Sequence, residues 1–194
     1  MQSARVALFV ALMASAGATL AQDIRPQDTA RLDRFSKSAG DAILEAMAHG
    51  DPTDVSALTT ALSGEPQVAF DASLAGEWTC RTMKLGGTKR LVIYSAFKCR
   101  ITLDATGADF EKLTGSQRTN GRISLREGQA IYVGVGHTSD QSPPAYVDLP
   151  EDFQSNGSIQ TDVAVFERVS PIRARLMFPA PAVESDFDIL ELTR

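Results

Sequence analysis

The spacing of apolar residues divides the chain into two regimes. From about residue 25 to residue 48, Leu32, Phe35, Ala39, Ile43 and Met47 recur every three or four positions. That is the stripe of an amphipathic helix, with Arg31, Asp33, Arg34 and Lys37 on its polar side. Gly50 ends it, and a second helix starts at once. Asp51 suits the N-cap, and Pro52 suits the first turn, where a missing N–H costs nothing. Val55, Leu58 and Leu62 form its stripe, and Gly64 closes it. Residues 22–65 therefore read as a helical hairpin. From Gly76 onward the period becomes two. Strand candidates are 77–85, 91–103, 108–114, 122–126, 130–137, 159–168, 173–178 and 186–192, separated by Gly, Asn, Pro and Asp. About eight strands with no helix between them predict an antiparallel meander over residues 66–194. The simplest form is a barrel or tightly rolled sheet, with the helical hairpin packed on its outside. The chain is thus mainly β with N-terminal helices. Residues 138–158, rich in Ser, Pro, Asp and Gly, read as one exposed loop.

Residues 1–21 have the pattern of a secretory signal peptide. Arg5 supplies a positive start, Val6 to Met13 is an unbroken apolar run, and small residues follow. Cleavage after Ala21 fits, with Ala18 as the alternative; an uncleaved anchor would need a longer apolar run. No later segment is apolar enough to span a bilayer. Export, to the periplasm of a Gram-negative bacterium, places Cys80 and Cys99 in an oxidising compartment, where a disulfide is the default. Two buried free thiols are the alternative; a redox pair is disfavoured because there is no Cys-x-x-Cys. On paired strands, Trp78 and Cys80 share one face, as do Phe97, Cys99 and Ile101. Pairing Cys80 opposite Cys99 conflicts with the Gly86-Gly87 turn signal. A connection of about eight residues resolves this, or a bulge that shifts the register.

Charge narrows the partners. Acidic residues outnumber basic ones, 24 to 19, which excludes a nucleic-acid backbone as the natural partner. Arg81, Lys98 and Arg100, with Lys84, read as a basic patch on the outer strand face. That patch suits an acidic partner or an envelope protein, or is simply a solvated face. Thr114 to Gly121 is polar and small. It reads as a connection, although Arg118 within it offers donors to an anion. His137 follows Ile131, Val133 and Val135 on one face of its strand, and that face is taken as inward. Ser139 and Asp140 are too close in sequence to form a triad with it. Two separated histidines and one cysteine pair make no metal centre. No catalytic constellation and no cofactor signature is present.

Gly76-Glu77-Trp78, opening the first strand of the meander, resembles the start of calycin barrels, the superfamily that includes the lipocalins. That resemblance implies a Trp plugging one end of the barrel with a late-strand Arg over its ring, here Arg173 or Arg175. It also implies a small apolar or amphipathic ligand in a pocket lined by residues such as Trp78, Phe97, Val133, Val165 and Leu176. A barrel filled by its own side chains, serving as a structural or interaction protein of the envelope, is the competing reading. A closer resemblance rests on four segments in order. These are Gly-x-Trp-x-Cys-Arg-x-x-Lys-x-Gly-Gly from Gly76, Tyr94 to Ile101, Lys112 to Arg118, and Glu184-Ser185. Together they resemble an exported bacterial family, domain of unknown function 4893, which implies an exported protein and supplies no activity to transfer.

Overall fold

The computed structural model describes residues 23–67 and 70–194. The signal-like segment 1–21 lies outside the described residues. Three helices precede the sheet: α1 (Pro26–Asp33), α2 (Phe35–His49) and α3 (Pro52–Leu62). The single helix expected over 25–48 is two, divided at Arg34. The Asp51 cap forms as expected, its carboxylate accepting from the Thr53 N–H at 2.8 Å.

Nine strands follow. They are β1 (Gly76–Leu85), β2 (Leu91–Ile93), β3 (Phe97–Asp104), β4 (Gly107–Lys112), β5 (Gln117–Arg126), β6 (Gln129–Thr138), β7 (Ile159–Ser170), β8 (Arg173–Pro179) and β9 (Phe187–Thr193). All neighbours are antiparallel, and β1 also pairs with β9 from Thr79 to Leu85. That pairing closes a barrel of eight strands, and β2 is the extra one. The expected strand 91–103 is interrupted at residues 94–96. Met83 faces Ile93, whereas Cys80 faces Phe97, so the register slips by one residue across the gap. The bulge, not a long loop, is therefore the answer to the cysteine spacing. The turn stays at Gly86, whose N–H donates to Arg90 O at 2.9 Å. Cys99 lies opposite Trp78, and the Cys80–Cys99 disulfide joins a diagonal pair with Cα atoms 5.9 Å apart.

Strand alternation sorts side chains into two cores. Inside, at the end nearest the N-terminus of β1, Trp78, Ile101, Phe110, Ile123, Phe166 and Leu192 fill the barrel. Outside, Met83, Leu85, Val133, Val165, Met177 and Ile189 pack beneath α1–α3 with Leu58, Ala42 and Ala46. The helices thus cover one side of the barrel, as their stripes require. Met47 is the exception: it is exposed, and Ala46 takes the inward position.

Trp78 plugs the base as the calycin pattern implies, its Nε1 donating to Leu74 O at 3.0 Å. The Arg over its ring is Arg194, at 3.9 Å, and not Arg173 or Arg175. Those two lie on the outer face, where they bind carbonyls at the end of α3, Thr60 O and Ala61 O. Odd positions of β8 point outward, so neither can reach the tryptophan.

Arg31 also departs from its expected solvent position. Asp28 on α1 is fully buried and accepts from Arg31 at 3.0 Å, Tyr146 Oη at 2.6 Å and Thr161 Oγ1 at 2.9 Å. Arg31 donates onward to Thr161 O and Pro179 O. The 138–158 segment is accordingly less exposed than its composition suggests, since Tyr146 and Leu149 are buried under α1.

Two stability predictions follow from these tethers. Reducing the disulfide, or replacing both cysteines by serine, should lower unfolding free energy by about 3 kcal/mol. A denaturant midpoint unchanged by reduction would contradict it. Asp28→Ala strands Arg31 as a buried unpaired charge and should cost about 3 kcal/mol or more, against about 1 kcal/mol for Tyr146→Phe. Chemical denaturation of both variants tests that order.

Candidate functional site

The half of the barrel interior away from Trp78 is polar. Moving along β1, inward positions run Trp78, Cys80, Thr82 and Lys84, so the lysine emerges inside the mouth. Lys112 ends β4 on the same inner face, beyond Ala108 and Phe110. Thr119 of β5, Gln160 and Asp162 of β7, and Asp188 of β9 complete the lining, above a floor that includes Phe178 and Leu190. Open space at the mouth comes to about 550 Å³ with adjoining solvent included, of which about 70 Å³ admits the centre of a water-sized sphere.

Space for these groups is made on β6. A Cβ at Gly134 would collide with the Tyr132 hydroxyl and lie 2.5 Å from Asn120 O; one at Gly136 would lie 2.5 Å from Asp162 Oδ2. Glycine at both inward positions lets Tyr132 and Asp162 occupy the lumen.

The charges are tied down unequally. Lys84 is only 4% exposed, donates to Glu184 Oε2 at 3.0 Å and lies 3.8 Å from Asp188 Oδ2. Burial works against its charge, but the two carboxylates, Asp188 first, outweigh it and raise its pKa. Burial pushes the Asp188 carboxyl up to about 6, against the pull of Lys84 and a hydrogen bond from Ser185. Burial likewise raises Asp162, partly offset by the charge of Arg31 through the barrel wall and a hydrogen bond from Thr119. Thr119 in turn bonds the Tyr132 hydroxyl at 2.7 Å. Lys112 is pushed down to about 8, chiefly by burial and then by the nearby positive charges of Lys84 and Arg118. Its Nζ donates to Gln117 O at 2.6 Å and sits 4.0 Å above the Phe97 ring. The mouth therefore offers donors and acceptors of both charge signs beside an apolar floor, with two groups that titrate close to neutrality. Among the described residues no cluster of three or more His, Cys, Asp or Glu could hold a metal ion.

Of the residues singled out from the sequence, the structure brings Phe97 to this mouth and Arg118 to its rim, where Arg118 lies opposite the outward-facing His137. Trp78 lies at the opposite end, in the filled base. Val133 and His137 face outward, which corrects the orientation expected of β6. Both faces of β6 are buried, and its valines are the stripe under the helices while its lumen face carries Tyr132, Gly134 and Gly136. The His137 Nδ1 lies 3.0 Å from the next residue's carbonyl, Thr138 O. Val165 also faces the helices, and Leu176 belongs to the filled base. Arg81, Lys98 and Arg100 do share the outer face, interleaved with acids: Arg81 pairs with Glu191 at 2.7 Å and Arg100 with Glu77 at 3.7 Å. Lys84 does not belong with them.

Of the lining groups, Lys112, Asp162 and Asp188 were not singled out, and Lys84 was placed in the outer patch. Strand parity with Trp78 and Cys80 was the available signal for Lys84. The expected connection 114–121 concealed another part of the lining. Only residues 113–116 turn, and β5 runs from Gln117, paired with Thr138. Its first inward positions, Gln117 and Thr119, are polar because they face the cavity, which erases the apolar alternation.

Fold and site together define a closed antiparallel barrel, consistent with the calycin resemblance, plugged by tryptophan at one end and charged inside the other. The chain belongs to the family described as Domain of unknown function (DUF4893), whose model matches residues 21–192. A search of curated proteins and a search of solved structures each return no match. No helix among the described residues is long and apolar enough to cross a membrane.

The raised Asp188 predicts a pH effect with a definite sign. Between about pH 4 and pH 6 the folded chain holds a proton on this carboxyl that the unfolded chain releases. Stability should therefore fall as pH rises through that window. Asp188→Asn should flatten the fall by about 1–2 kcal/mol, read as unfolding free energy at pH 4 and pH 7. An equally steep fall in the variant would show that Asp188 is not its source.

Proposed function

We propose that this is an exported binding protein whose barrel mouth receives a small amphipathic molecule. One observation carries the reading: Lys84, Asp162 and Asp188 are turned into the lumen at the rim of a cavity, whereas the other half of the lumen is packed solid. Charges in a lumen cost several kcal/mol each unless paired, and a purely structural barrel has no use for them. An apolar floor under a polar rim is the usual construction of small-molecule sites. The filled base narrows the expected ligand to one that is polar at one end and does not thread the barrel.

Export to the periplasm is supported by the signal-like segment 1–21 and by the disulfide, which persists in oxidising compartments. The ligand would then be met outside the cytoplasm.

Native mass spectrometry on protein released gently from the exported fraction tests the reading. A discrete added mass is expected on the wild-type chain. Thr82 lines the cavity, so Thr82→Phe should fill it and lose that mass while the chain stays folded. A bare wild-type chain, with no small molecule retained, would count against a binding barrel.

A further inference from the structure

The chain has five lysines, and they are held differently. Lys37 pairs with Asp41 on the exposed side of α2. Lys89 sits in the β1–β2 turn, and Lys98 lies on the outer face of β3. Only Lys84 and Lys112 line the lumen. Lys84 is bound by Glu184, with Asp188 at 3.8 Å. The Lys112 amine is fixed by other means. Its Nζ donates to Gln117 O at 2.6 Å and stands 4.0 Å above the Phe97 ring. Gly115, at a φ of 99°, closes the β4–β5 turn over the same spot. A Cβ there would lie 2.9 Å from the ring and 3.3 Å from Nζ. This amine is thus positioned by a carbonyl, a ring face and a glycine turn, where two open spaces that share Thr82, Lys84 and Gln117 meet.

Resting on the mouth being a binding site, we propose that Lys112 is a nucleophilic amine that holds an amphipathic aldehyde as an iminium. The carbonyl carbon gains a bond to Nζ, and the carbonyl oxygen leaves as water with two protons of the starting ammonium. The nitrogen keeps one proton and its positive charge, so neither an oxidant nor a reductant is needed. Asp162 and Asp188 draw on the charge at Lys112 from across the lumen, and they draw on an iminium in the same way. Acyl transfer from an ester would erase that charge, which favours an aldehyde. Its apolar chain would lie on the floor formed with Phe178 and Leu190. Burial first, then Lys84 and Arg118, outweigh the two carboxylates and bring the Lys112 pKa down to about 8. About one such amine in ten is unprotonated at pH 7, some hundred-fold more than for an ordinary lysine.

Hexanal and formaldehyde, each with sodium cyanoborohydride, convert an iminium into a stable alkylamine. Site-resolved mass spectrometry on the full exported chain at pH 7 then reads the rate at each lysine. Hexanal should mark Lys112 about ten-fold or more faster than Lys89 or Lys98, as a desolvated amine beside another cation reacts. Formaldehyde has no chain to place on the floor and should show a smaller preference. Thr82→Phe, which fills the same space, should slow hexanal at Lys112 several-fold, and Lys112→Arg should abolish the fast reaction. Lys112 reacting no faster than Lys98, or Lys84 reacting faster than Lys112, overturns the proposal. So does an equal preference for Lys112 with both aldehydes, or a hexanal rate unchanged in natively folded Thr82→Phe. The first two comparisons use the wild-type chain alone, so they decide even if a variant fails to fold. The binding-barrel reading falls separately, if the gently released chain is bare.

Discussion

Seven residues of β1, Thr79 to Leu85, run in register along β9, and that pairing turns a meander into a closed tube. Once the tube closes, each strand has only two choices for a side chain, lumen or exterior. The lumen is too narrow to be shared, so tryptophan, phenylalanine and tyrosine rings fill its lower half at close quarters. Phe110 and Phe178 meet Tyr132 edge-on, with centroids 5.8 and 6.0 Å away. The exterior of β1 and β6–β9 carries a second apolar surface, which is why the chain needs helices at all. Remove the β1–β9 seam and both cores lose their definition together.

The polar mouth is a local exception to this packing and is organised as one. Each buried charge inside it is met by an opposite charge or a hydroxyl: Lys84 by Glu184 and Asp188, Asp162 by Thr119 and, through the wall, Arg31. The Tyr132 hydroxyl marks the boundary. Its ring belongs to the filled base and its oxygen to the Thr119–Asp162 chain. The α1 tether reaches the same place from outside, because Arg31 binds the carbonyl of Thr161, next to Asp162 on β7. The helices therefore bear on the electrostatics of the lumen as well as on the stability of the barrel.

Much of this architecture was legible in the sequence because it depends on period and punctuation. The change of period at Gly76, the Asp51-Pro52 helix start, Gly-x-Trp and the cysteine pair all mean the same thing locally and globally. What escaped reading is physical in kind. On β6 both faces are buried, so the more hydrophobic face was not the luminal one, and Val133 and His137 fell on the wrong side. On β5 the cavity itself makes inward residues polar, so Gln117 and Thr119 looked like a loop. Lys84 was grouped with Arg81 by charge when its parity matched Trp78. The arginine over Trp78 is set by tertiary approach, and Arg194 at the end of β9 carries no local mark of it. A site that breaks the alternation of its own strands hides where alternation is the guide.

The placement of the disulfide has a mechanical consequence. A covalent link between β1 and β3, with Arg194 stacked on Trp78 and bonded to Ser73 O and Leu74 O, fastens the lower rim. The upper rim has no covalent fastening: residues 180–186 are held there by the Lys84–Glu184 ion pair, by the bond from Ser38 on α2 to Asp186 O and by that from the Asp186 N–H to Leu85 O. Glu184 holds a φ of 73°, a backbone state that a non-glycine residue keeps only while something restrains it. The covalent fastening thus sits at the foot of the barrel, and the lip, where the charged groups stand, is held by hydrogen bonds and ion pairs alone.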